Sequence, residues 1–320
     1  MKLVIQIPCH NEAETLPQTL ADFPVEIPGI DQIEILVIDD GSQDGTAEIA
    51  RRHGVHRIVE LPYNQGLAKA FSHGLFEAVK MHADILVNTD GDNQYQGRFI
   101  EELIRPILEN RADLVIGCRP IDSIEHFSSL KKKLQRFGSR VIVWLTGVNV
   151  PDVASGFRAY SRKAIRRLKV LSEFTYTVET TIQAAKSGLR IECVNIETNP
   201  PTRPSRLFKS NWYYIRKQIG TIFRIWALYS PEKLFNRSGI LALSAGFILL
   251  IRFLYYYFAS FPENTGKVQS LVVASIFLSL GFSLILFGVV TDLVRINRHL
   301  LEETIDRLDR LTNENQDKDI

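Results

Sequence analysis

Cysteine is scarce in this chain, and its spacing excludes several structural roles. The 320 residues include only Cys9, Cys118 and Cys193, which are too far apart for a zinc motif or a dense disulfide framework. The seven histidines also lack the spacing of metal ligands. We therefore predict that the cysteines are small, mostly buried side chains in a reducing compartment.

Two glycine-rich nucleotide motifs are absent as well. No GxGxxG follows the first apolar segment, and no GxxxxGK[ST] occurs in the chain. These motifs bind dinucleotides or cradle the phosphates of nucleoside triphosphates. Their absence argues against a dinucleotide-dependent oxidoreductase and against a P-loop nucleotidase.

An excess of one charge is also missing, and so is a secretory leader. The formal net charge is +2, from 38 basic and 36 acidic residues, so charge alone does not indicate a partner. The opening apolar stretch stops at Pro8 and lacks the pattern of a cleavable signal. We expect the N-terminal part to stay in the cytoplasm.

Long hydrophobic runs are present near the C-terminus. Residues 268–290 are 23 residues without a charge, and such a helix is about 34 Å long, enough to cross a hydrocarbon core of about 30 Å. Residues 238–259 form a second candidate, in which Arg252 can reach the interface beside an aromatic belt at 255–257. Because only 260–267 separates them, the two spans predict a hairpin with both ends in the cytoplasm, where basic residues flank it.

Basic and aromatic residues precede the first span. Residues 201–237 contain eight Lys or Arg and one acidic residue, with aromatic side chains among them. A solvated linker would explain the charge but not the aromatics, so we predict amphipathic helices at the membrane interface over 206–237. Beside two spans, this charge fits anionic lipid headgroups better than nucleic acid, and no nucleic-acid partner is expected.

The tail, residues 291–320, is charged and helix-prone. Val294, Leu301 and Leu308 lie seven residues apart, as in a short coiled coil. We predict a cytoplasmic C-terminal helix here. The transmembrane and C-terminal helices together are the expected contacts of a homo-oligomer.

Strands and helices alternate over residues 1–205. Apolar strands are predicted at 3–8, 34–38, 57–60, 84–88 and 113–117, and helices at 12–20, 44–52, 66–80 and 98–108. This alternation favours an α/β fold with a mostly parallel sheet covered by helices. Ligands of such sheets bind at the carboxyl ends of the strands.

Acidic turns follow two of these strands. Asp39 and Asp40 end the strand at 34–38, and Asp90-Gly91-Asp92 follows the strand at 84–88. Carboxylates on a loop are hard oxygen ligands that suit Mg²⁺ or Mn²⁺ shared with a diphosphate. A solvated turn would have a similar composition, so the acidic motif indicates a metal site only together with the motifs around it.

That context is a series of motifs in fixed order. The chain reads IPCHNE at 7–12, VIDDGSQDGT at 37–46, NQGLA at 64–68 and DGD at 90–92. In order and spacing these motifs resemble the family 2 glycosyltransferases of GT-A fold. Two later motifs, GCR at 117–119 and SGFRAY at 155–160, are similar to the polyprenyl-phosphate branch, typified by dolichyl-phosphate mannose synthase.

The resemblance extends over about residues 3–210 and implies roles for the matched positions. The nucleotide-sugar donor would be held by Pro8, His10, Asn11, Glu12, Asp39, Asp40, Gly66, Arg203 and Arg206. The metal, Mg²⁺ or Mn²⁺, would be bound by Asp90, Asp92 and Gln94, with Asp92 as the main ligand. Catalysis would depend on Asp92, Asp90 and Arg119, and the acceptor phosphate would be bound by Arg119, Arg136 and Ser155. This chain has DGDNQY where the mannose synthases usually have DADLQ, so the identity of the sugar stays open.

The chemistry of a lipid phosphate acceptor agrees with these residues. A phosphate monoester is already ionised at neutral pH, since its second pKa is about 6. Such a nucleophile needs positioning and charge neutralisation more than it needs a general base. We therefore expect a single displacement with inversion, on a polyprenyl or dolichyl phosphate at the cytoplasmic membrane face.

Two alternatives stay open at this point. A hydroxyl acceptor, as in glycolipid or polysaccharide synthesis, would need a general base. The QxxRW motif of processive synthases is absent, and two spans are few for a translocating channel. A protein that binds nucleotide sugar without turnover is the other alternative, and the presence of both Asp90 and Asp92 speaks against it.

Overall fold

The described part of the chain covers most of the predicted elements. The computed structural model describes residues 1–120, 139–140, 142–143, 146–170, 176–200, 231–259 and 268–316. Two compact units make up the chain, residues 1–222 and 223–320. Three predicted site residues, Arg136, Arg203 and Arg206, lie outside the described residues. The predicted domain boundary at 205 and most of the predicted interfacial segment lie outside them too.

One sheet organises the first unit. Its strands are β1 (Lys2–Cys9), β2 (Gln32–Asp39), β3 (Arg57–Glu60), β4 (Ile85–Asn88), β5 (Leu114–Cys118), β6 (Arg158–Ser161) and β7 (Ile191–Asn195). They are ordered β3-β2-β1-β4-β6-β5-β7, and all neighbours pair in parallel except β6, which is antiparallel to both β4 and β5. The predicted α/β class with a mostly parallel sheet is confirmed.

Helices connect the strands and cover the sheet. They are α1 (Leu16–Ala21), α2 (Thr46–Arg52), α3 (Leu67–Lys80), α4 (Ile100–Leu108), α5 (Arg162–Arg167) and α6 (Thr177–Lys186), with a 3₁₀ turn at Gly97–Phe99 before α4. On one face of the sheet, Leu3 and Ile5 of β1 share a buried cluster with Leu103 and Ile104 of α4. Burial of this apolar surface is the main driving force that fixes the sheet's position against its helices.

The predicted elements agree with the structure except near the first motif and after β5. Helix α1 begins at Leu16 rather than at residue 12, because Asn11 has a left-handed φ of 57° and Pro17 occupies the first turn. Strands β6 and β7 and helices α5 and α6 were not predicted. The four residues of β6 are too few for a clear periodic pattern.

The described part of the second unit consists of two long helices. Helix α7 (Pro231–Ala259) and helix α8 (Val268–Gln316) contain two apolar segments long enough to cross a membrane, Phe235–Ala259 and Val268–Val294. Helix α7 begins seven residues before the predicted first span at 238. Helix α8 continues through the predicted boundary at 290, so the described part of the tail extends the second span and is not a separate helix.

Glycines allow α7 and α8 to pack closely. A Cβ added at Gly281 would lie 2.8 Å from the Leu243 nitrogen and 2.9 Å from the Gly239 carbonyl oxygen. Small residues at a helix contact let the two backbones approach, as is common in membrane helix pairs. The apolar side chains that face away from this contact are exposed, including Phe247, Ile251 and Phe282.

Candidate active site

The sheet brings the two acidic turns to one edge. Strands β2, β1 and β4 are adjacent and parallel, with Cys9 opposite Asp39 and Gln6 opposite Asn88, so their carboxyl ends lie side by side. The turn after β4 reaches the segment after β1, since a Cβ added at Gly91 would lie 3.1 Å from Cys9 Sγ and 3.3 Å from Glu12 Cγ. The predicted residues of three motifs are therefore neighbours.

Asp40 links the second motif to the third. Its two carboxylate oxygens accept hydrogen bonds from the N–H groups of Gln65 (2.7 Å) and Gly66 (2.8 Å), just before α3. Asp39 accepts the Ser42 N–H at 3.1 Å. Both aspartates are buried. Their predicted contact with the nucleotide stays a prediction, but the structure gives Asp40 a definite role in holding the loop before α3.

His10 and Asn11 extend the same edge of the sheet. His10 Nδ1 donates to the Asp40 carbonyl at 2.8 Å, and its Nε2 lies 3.2 Å from Asn11 Nδ2. Asn11 accepts the Gln43 N–H at 2.9 Å and donates its own N–H to Ser42 Oγ at 2.9 Å. In these two contacts Nδ1 is the donor and Nε2 the acceptor. Pro8 is buried in β1 opposite Ile38.

Two threonines that were not predicted from the sequence hold the turn between the acidic residues. The Gly91 carbonyl oxygen lies 2.8 Å from Thr15 Oγ1 and 3.1 Å from Thr19 Oγ1. Thr15 Oγ1 is also 2.9 Å from Glu12 Oε2. Glu12 is buried, and its N–H donates to Thr46 Oγ1 at 2.9 Å. The first helix therefore anchors the turn that contains Asp90 and Asp92.

Asp90 and Asp92 are two carboxylates close enough to affect each other's ionisation. Burial, and then the nearby Asp92 carboxylate, raise the pKa of Asp90 to about 7, while Arg119 opposes the rise and Glu12 adds to it. Asp92 accepts the Gln94 N–H at 3.1 Å through Oδ1. A divalent cation bound by two such close carboxylates would offset their repulsion and favour the ionised form of both. The donor set, two hard oxygen ligands on a loop, fits Mg²⁺ or Mn²⁺.

A cation held by Asp90 and Asp92 would have coordination positions left for other ligands. Among the described residues, no group of three His, Cys, Asp or Glu side chains is placed to hold a metal ion. Mg²⁺ is often held by one or two carboxylates together with substrate phosphates and water.

The raised pKa of Asp90 predicts that metal binding depends on pH. Protons and metal compete for Asp90, so below about pH 7 the Mn²⁺ affinity should fall by up to about tenfold per pH unit, and above it the affinity should be level. Electron paramagnetic resonance titration with Mn²⁺ and UDP-glucose or GDP-mannose would measure this, because neither diphosphate diester titrates near neutrality. An affinity that is constant between about pH 6 and pH 8 would contradict the prediction.

Arg119 is held by a buried carboxylate. Its Nε and one terminal nitrogen donate to Asp152 at 2.6 and 3.1 Å, and Asp152 is fully buried. Such a bidentate pair fixes the plane of the guanidinium group and leaves other N–H donors for a further anion. Because Arg119 also lowers the pKa of Asp90, it lies within electrostatic reach of the acidic turn. Its phosphate contact stays a prediction.

The segment at 155–158 contacts the acidic turn directly. A Cβ added at Gly156 would lie 3.2 Å from Asp90 Oδ1 and 2.9 Å from Tyr176 Oη. The Gly156 N–H donates to Tyr95 Oη at 3.1 Å, and its carbonyl accepts from Asn88 Nδ2 at 2.9 Å. The segment at 155–158 and the acidic turn at 90–92 are far apart in sequence but lie against each other in the fold.

Replacement of Gly156 by alanine is expected to displace Asp90. The added methyl group would meet the carboxylate of Asp90 and the hydroxyl of Tyr176, and because Tyr176 is fully buried, the carboxylate is the group that must move. We expect turnover to fall by about 10-fold to 100-fold, because displaced metal ligands and their supports have effects of that size. Initial rates at saturating donor would test this. Gly54→Ala is a control for the loss of a glycine away from the site: its φ of +72° strains an alanine and costs some stability, but a Cβ there meets nothing within 4 Å, so turnover of the folded enzyme should be kept. A Gly156→Ala enzyme with the wild-type rate would contradict the prediction that the contact between Gly156 and Asp90 is needed for turnover.

Arg158 holds the buried loop that contains Ser155. Ser155 is fully buried, and its carbonyl accepts from Arg158 Nε at 2.8 Å. Arg158, also fully buried, donates further to the carbonyls of Val153 (2.6 Å) and Thr177 (2.8 Å). The predicted phosphate contact of Ser155 stays a prediction, whereas Arg158 clearly holds the loop that includes Asp152.

Several residues of this site were missed from the sequence. They are Thr15, Thr19, Tyr95, Asp152, Tyr176 and Asn199. Each one contacts, from a distant part of the chain, a residue in or next to one of the sequence motifs. Single threonines, tyrosines and asparagines do not stand out in a sequence, so no local signal could have identified them.

Comparison with known proteins agrees with this geometry. The family described as "Glycosyl transferase family 2" matches residues 4–169, which include both acidic turns and the segment at 155–158. Glycosyltransferase AglJ of Haloferax volcanii is 29% identical over 301 residues, covering 91% of this chain and 92% of that protein.

Two further relatives are named for their lipid substrates. The undecaprenyl-phosphate mannosyltransferase of Micrococcus luteus is 30% identical over 205 residues, covering 60% of this chain and 81% of that protein. The UDP-N-acetylglucosamine–dolichyl-phosphate N-acetylglucosaminyltransferase of Methanococcus voltae is 30% identical over 217 residues, covering 60% and 83%.

Solved structures show the same fold. Glucosyl-3-phosphoglycerate synthase from Mycobacterium tuberculosis, crystallised with Mn²⁺, UDP-glucose and phosphoglyceric acid, has a TM-score of 0.54 and 20% identity. The match covers 71% of this chain and 80% of that one. At this identity the likeness concerns the fold alone.

Proposed function

Because this chain belongs to glycosyl transferase family 2, we propose that it transfers a sugar from a nucleoside-diphosphate sugar to a polyprenyl phosphate. The observation that carries the proposal is that the Asp39–Asp40 turn and the Asp90–Asp92 turn lie at the same edge of the sheet, at the carboxyl ends of β2 and β4, on either side of the end of β1. The relatives named for undecaprenyl and dolichyl phosphates support the acceptor class.

The acidic turn is proposed to hold a divalent metal together with the donor. Asp92 and Asp90 would provide the protein ligands, and Gln94 would lie beside them. When bound, Mg²⁺ or Mn²⁺ supplies positive charge that stabilises the leaving nucleoside diphosphate. The complexes of the structural neighbour with Mn²⁺ and UDP-glucose support a divalent metal in this fold.

The nucleotide is proposed to lie across the ends of β2 and β1. Asp39 would accept N–H groups of the base, and His10 and Asn11 would border the ribose and base. Asp40 would act indirectly, since its carboxylate holds the backbone N–H groups of Gln65 and Gly66. Arg203 and Arg206 would close on the donor, as the family resemblance implies.

Arg119 is proposed to orient an oxyanion. Asp152 occupies two of its donors, so the remaining N–H groups can bind the phosphate of the acceptor, together with Arg136 and Ser155. The acceptor phosphate is ionised and needs no general base, so a single displacement would invert the configuration at the sugar. Positioning and electrostatic stabilisation would then supply most of the rate enhancement.

The two apolar helices are proposed to place the enzyme at its lipid substrate. The segments Phe235–Ala259 and Val268–Val294 have mean hydropathies of 1.9 and 2.4. Basic residues near both outer ends favour a hairpin whose ends are cytoplasmic, with the catalytic unit on that side. A polyprenyl phosphate is confined to the membrane, so an anchored enzyme meets it at a high local concentration.

A donor and acceptor panel tests the proposal. Purified full-length protein in detergent is incubated with Mn²⁺ and radiolabelled GDP-mannose, UDP-glucose or UDP-N-acetylglucosamine, with undecaprenyl or dolichyl phosphate. We expect one donor to label a lipid product that mild acid releases, as a glycosyl phosphate would. The corresponding polyprenol, which offers only a hydroxyl, is the matched control acceptor. Labelling of the polyprenol rather than its phosphate would overturn the proposed acceptor in favour of a hydroxyl.

A further inference from the structure

The chain after β7 returns to the loop that follows Asp92. The Asn199 N–H donates to the Gln94 carbonyl at 2.9 Å, and its side-chain Nδ2 donates to the Asn93 carbonyl at 2.9 Å. Its Oδ1 accepts from Gln96 Nε2 at 2.8 Å. We call these three bonds the Asn199 clasp. One residue thus binds three residues of a loop that is more than one hundred positions away in sequence.

The clasp acts on a loop with an unusual backbone. Asn93, the residue after Asp92, has a left-handed φ of 55° and is 5% exposed. A left-handed conformation is unfavourable for most residues and persists where the surroundings hold it. The bond from Asn199 Nδ2 to the Asn93 carbonyl is such a constraint. An antiparallel bridge between Tyr95 and Thr198 adds to it.

The backbone of this loop sets the direction of the Asp92 carboxylate. Asp92 Oδ1 accepts the Gln94 N–H at 3.1 Å, and the carbonyl of Gln94 is itself held by Asn199. On the other side of Asp92, Thr15 and Thr19 hold the Gly91 carbonyl. Without the clasp, the side after Asp92 would lose three of its hydrogen bonds, whereas the side before it would keep its anchors.

We propose that Asn199 is a positioning residue for the metal and diphosphate site. This inference rests on the proposed function, because it assigns Asn199 to the support of Asp92 in that site. Asn199 holds the backbone of residues 93–96 and through it keeps the Asp92 carboxylate directed at the cation. Groups that orient metal ligands in this way commonly alter metal affinity or activity by about 10-fold to 100-fold when they are lost.

Metal binding with nucleotide, without an acceptor, tests this role. Mn²⁺ is titrated by electron paramagnetic resonance into the full-length protein with UDP, and separately with GDP. We expect Asn199→Ala to weaken Mn²⁺ binding by about 10-fold or more, with kcat reduced and the KM for the lipid acceptor unchanged. Asn199→Asp keeps the acceptor for Gln96 but replaces the donor to Asn93 with an oxygen that repels the Asn93 carbonyl, so we expect Mn²⁺ binding to weaken in this variant as well.

A surface contact between the same two segments provides the control. Glu197 pairs with Arg98 at 2.6 Å, and both side chains are mostly exposed. Glu197→Ala removes this link without touching the clasp, so its Mn²⁺ affinity should equal that of the wild type. Asn199→Ala with wild-type Mn²⁺ affinity would overturn the inference.

The same titration separates this inference from the proposed function. A wild-type protein that binds neither Mn²⁺ with UDP nor Mn²⁺ with GDP would contradict the proposed function itself. A wild-type protein that binds, beside an Asn199→Ala variant that binds equally well, would contradict the clasp alone. If Asn199→Ala does not fold, Asn199→Asp decides, and wild-type affinity in that variant overturns the inference.

Discussion

Asp92→Asn is expected to reduce turnover by about 10³-fold while the fold stays intact. That factor corresponds to about 4 kcal/mol of transition-state stabilisation, within the range that a bound metal supplies. The amide keeps the shape of the side chain and its oxygen can still accept the Gln94 N–H, but it loses the negative charge that attracts the cation. Initial rates with the donor identified by the panel, at saturating Mn²⁺, would measure the loss.

An acid at the opposite end of the same strand provides the matched control. Asp84 precedes β4, accepts the Lys2 N–H at 2.8 Å and pairs with Arg162 at 2.7 Å, away from the carboxyl edge. Asp84→Asn should keep its turnover close to that of the wild type. Asp92→Asn also removes the second cause of the raised pKa of Asp90. The pKa of Asp90 should therefore be lower in this variant than the value of about 7 in the wild type. An Asp92→Asn enzyme with full activity would refute the metal role.

Arg158→Met is expected to destabilise the first unit by about 3–5 kcal/mol. Arg158 is fully buried and donates to three main-chain carbonyls and to the hydroxyls of Thr180 and Thr181 at 3.0 Å. Methionine fills much of the same space but offers no donor, so the carbonyls lose their partners in a site without water access. For a unit of this size the melting temperature should fall by about 10 °C.

Thermal unfolding followed by circular dichroism in detergent would measure the effect of Arg158→Met. The control is Arg162→Met, four residues later, because Arg162 is about half exposed and its pair with Asp84 should contribute less than about 1 kcal/mol. Activity should fall in Arg158→Met even at temperatures where it is folded, since the loop that presents Asp152 to Arg119 loses its anchor. Equal melting temperatures for the two variants would contradict this account.

Most of the fold could be predicted because its signals are local. Strands β1 to β5 appear as short apolar runs, and their turns contain the glycine, aspartate and asparagine that turns require. The antiparallel β6 escaped prediction because its position between β4 and β5 is decided by pairing between distant segments. Four residues carry too little periodicity to reveal it.

The acidic residues of the site could also be predicted, but not the residues that hold them. Asp39, Asp40, Asp90 and Asp92 stand at strand ends in motifs that read as turns. Asp152 is 33 positions from Arg119, and Asn199 is 106 positions from Asn93. Their bonds exist only once the sheet has brought these segments together.

The sequence by itself determined the α/β class, the two apolar helices and the acidic turns, because periodicity and turn chemistry act between near neighbours in the chain. The tertiary structure alone decided how Asp152, Arg158 and Asn199 support the site, because buried polar groups find partners according to distance in space.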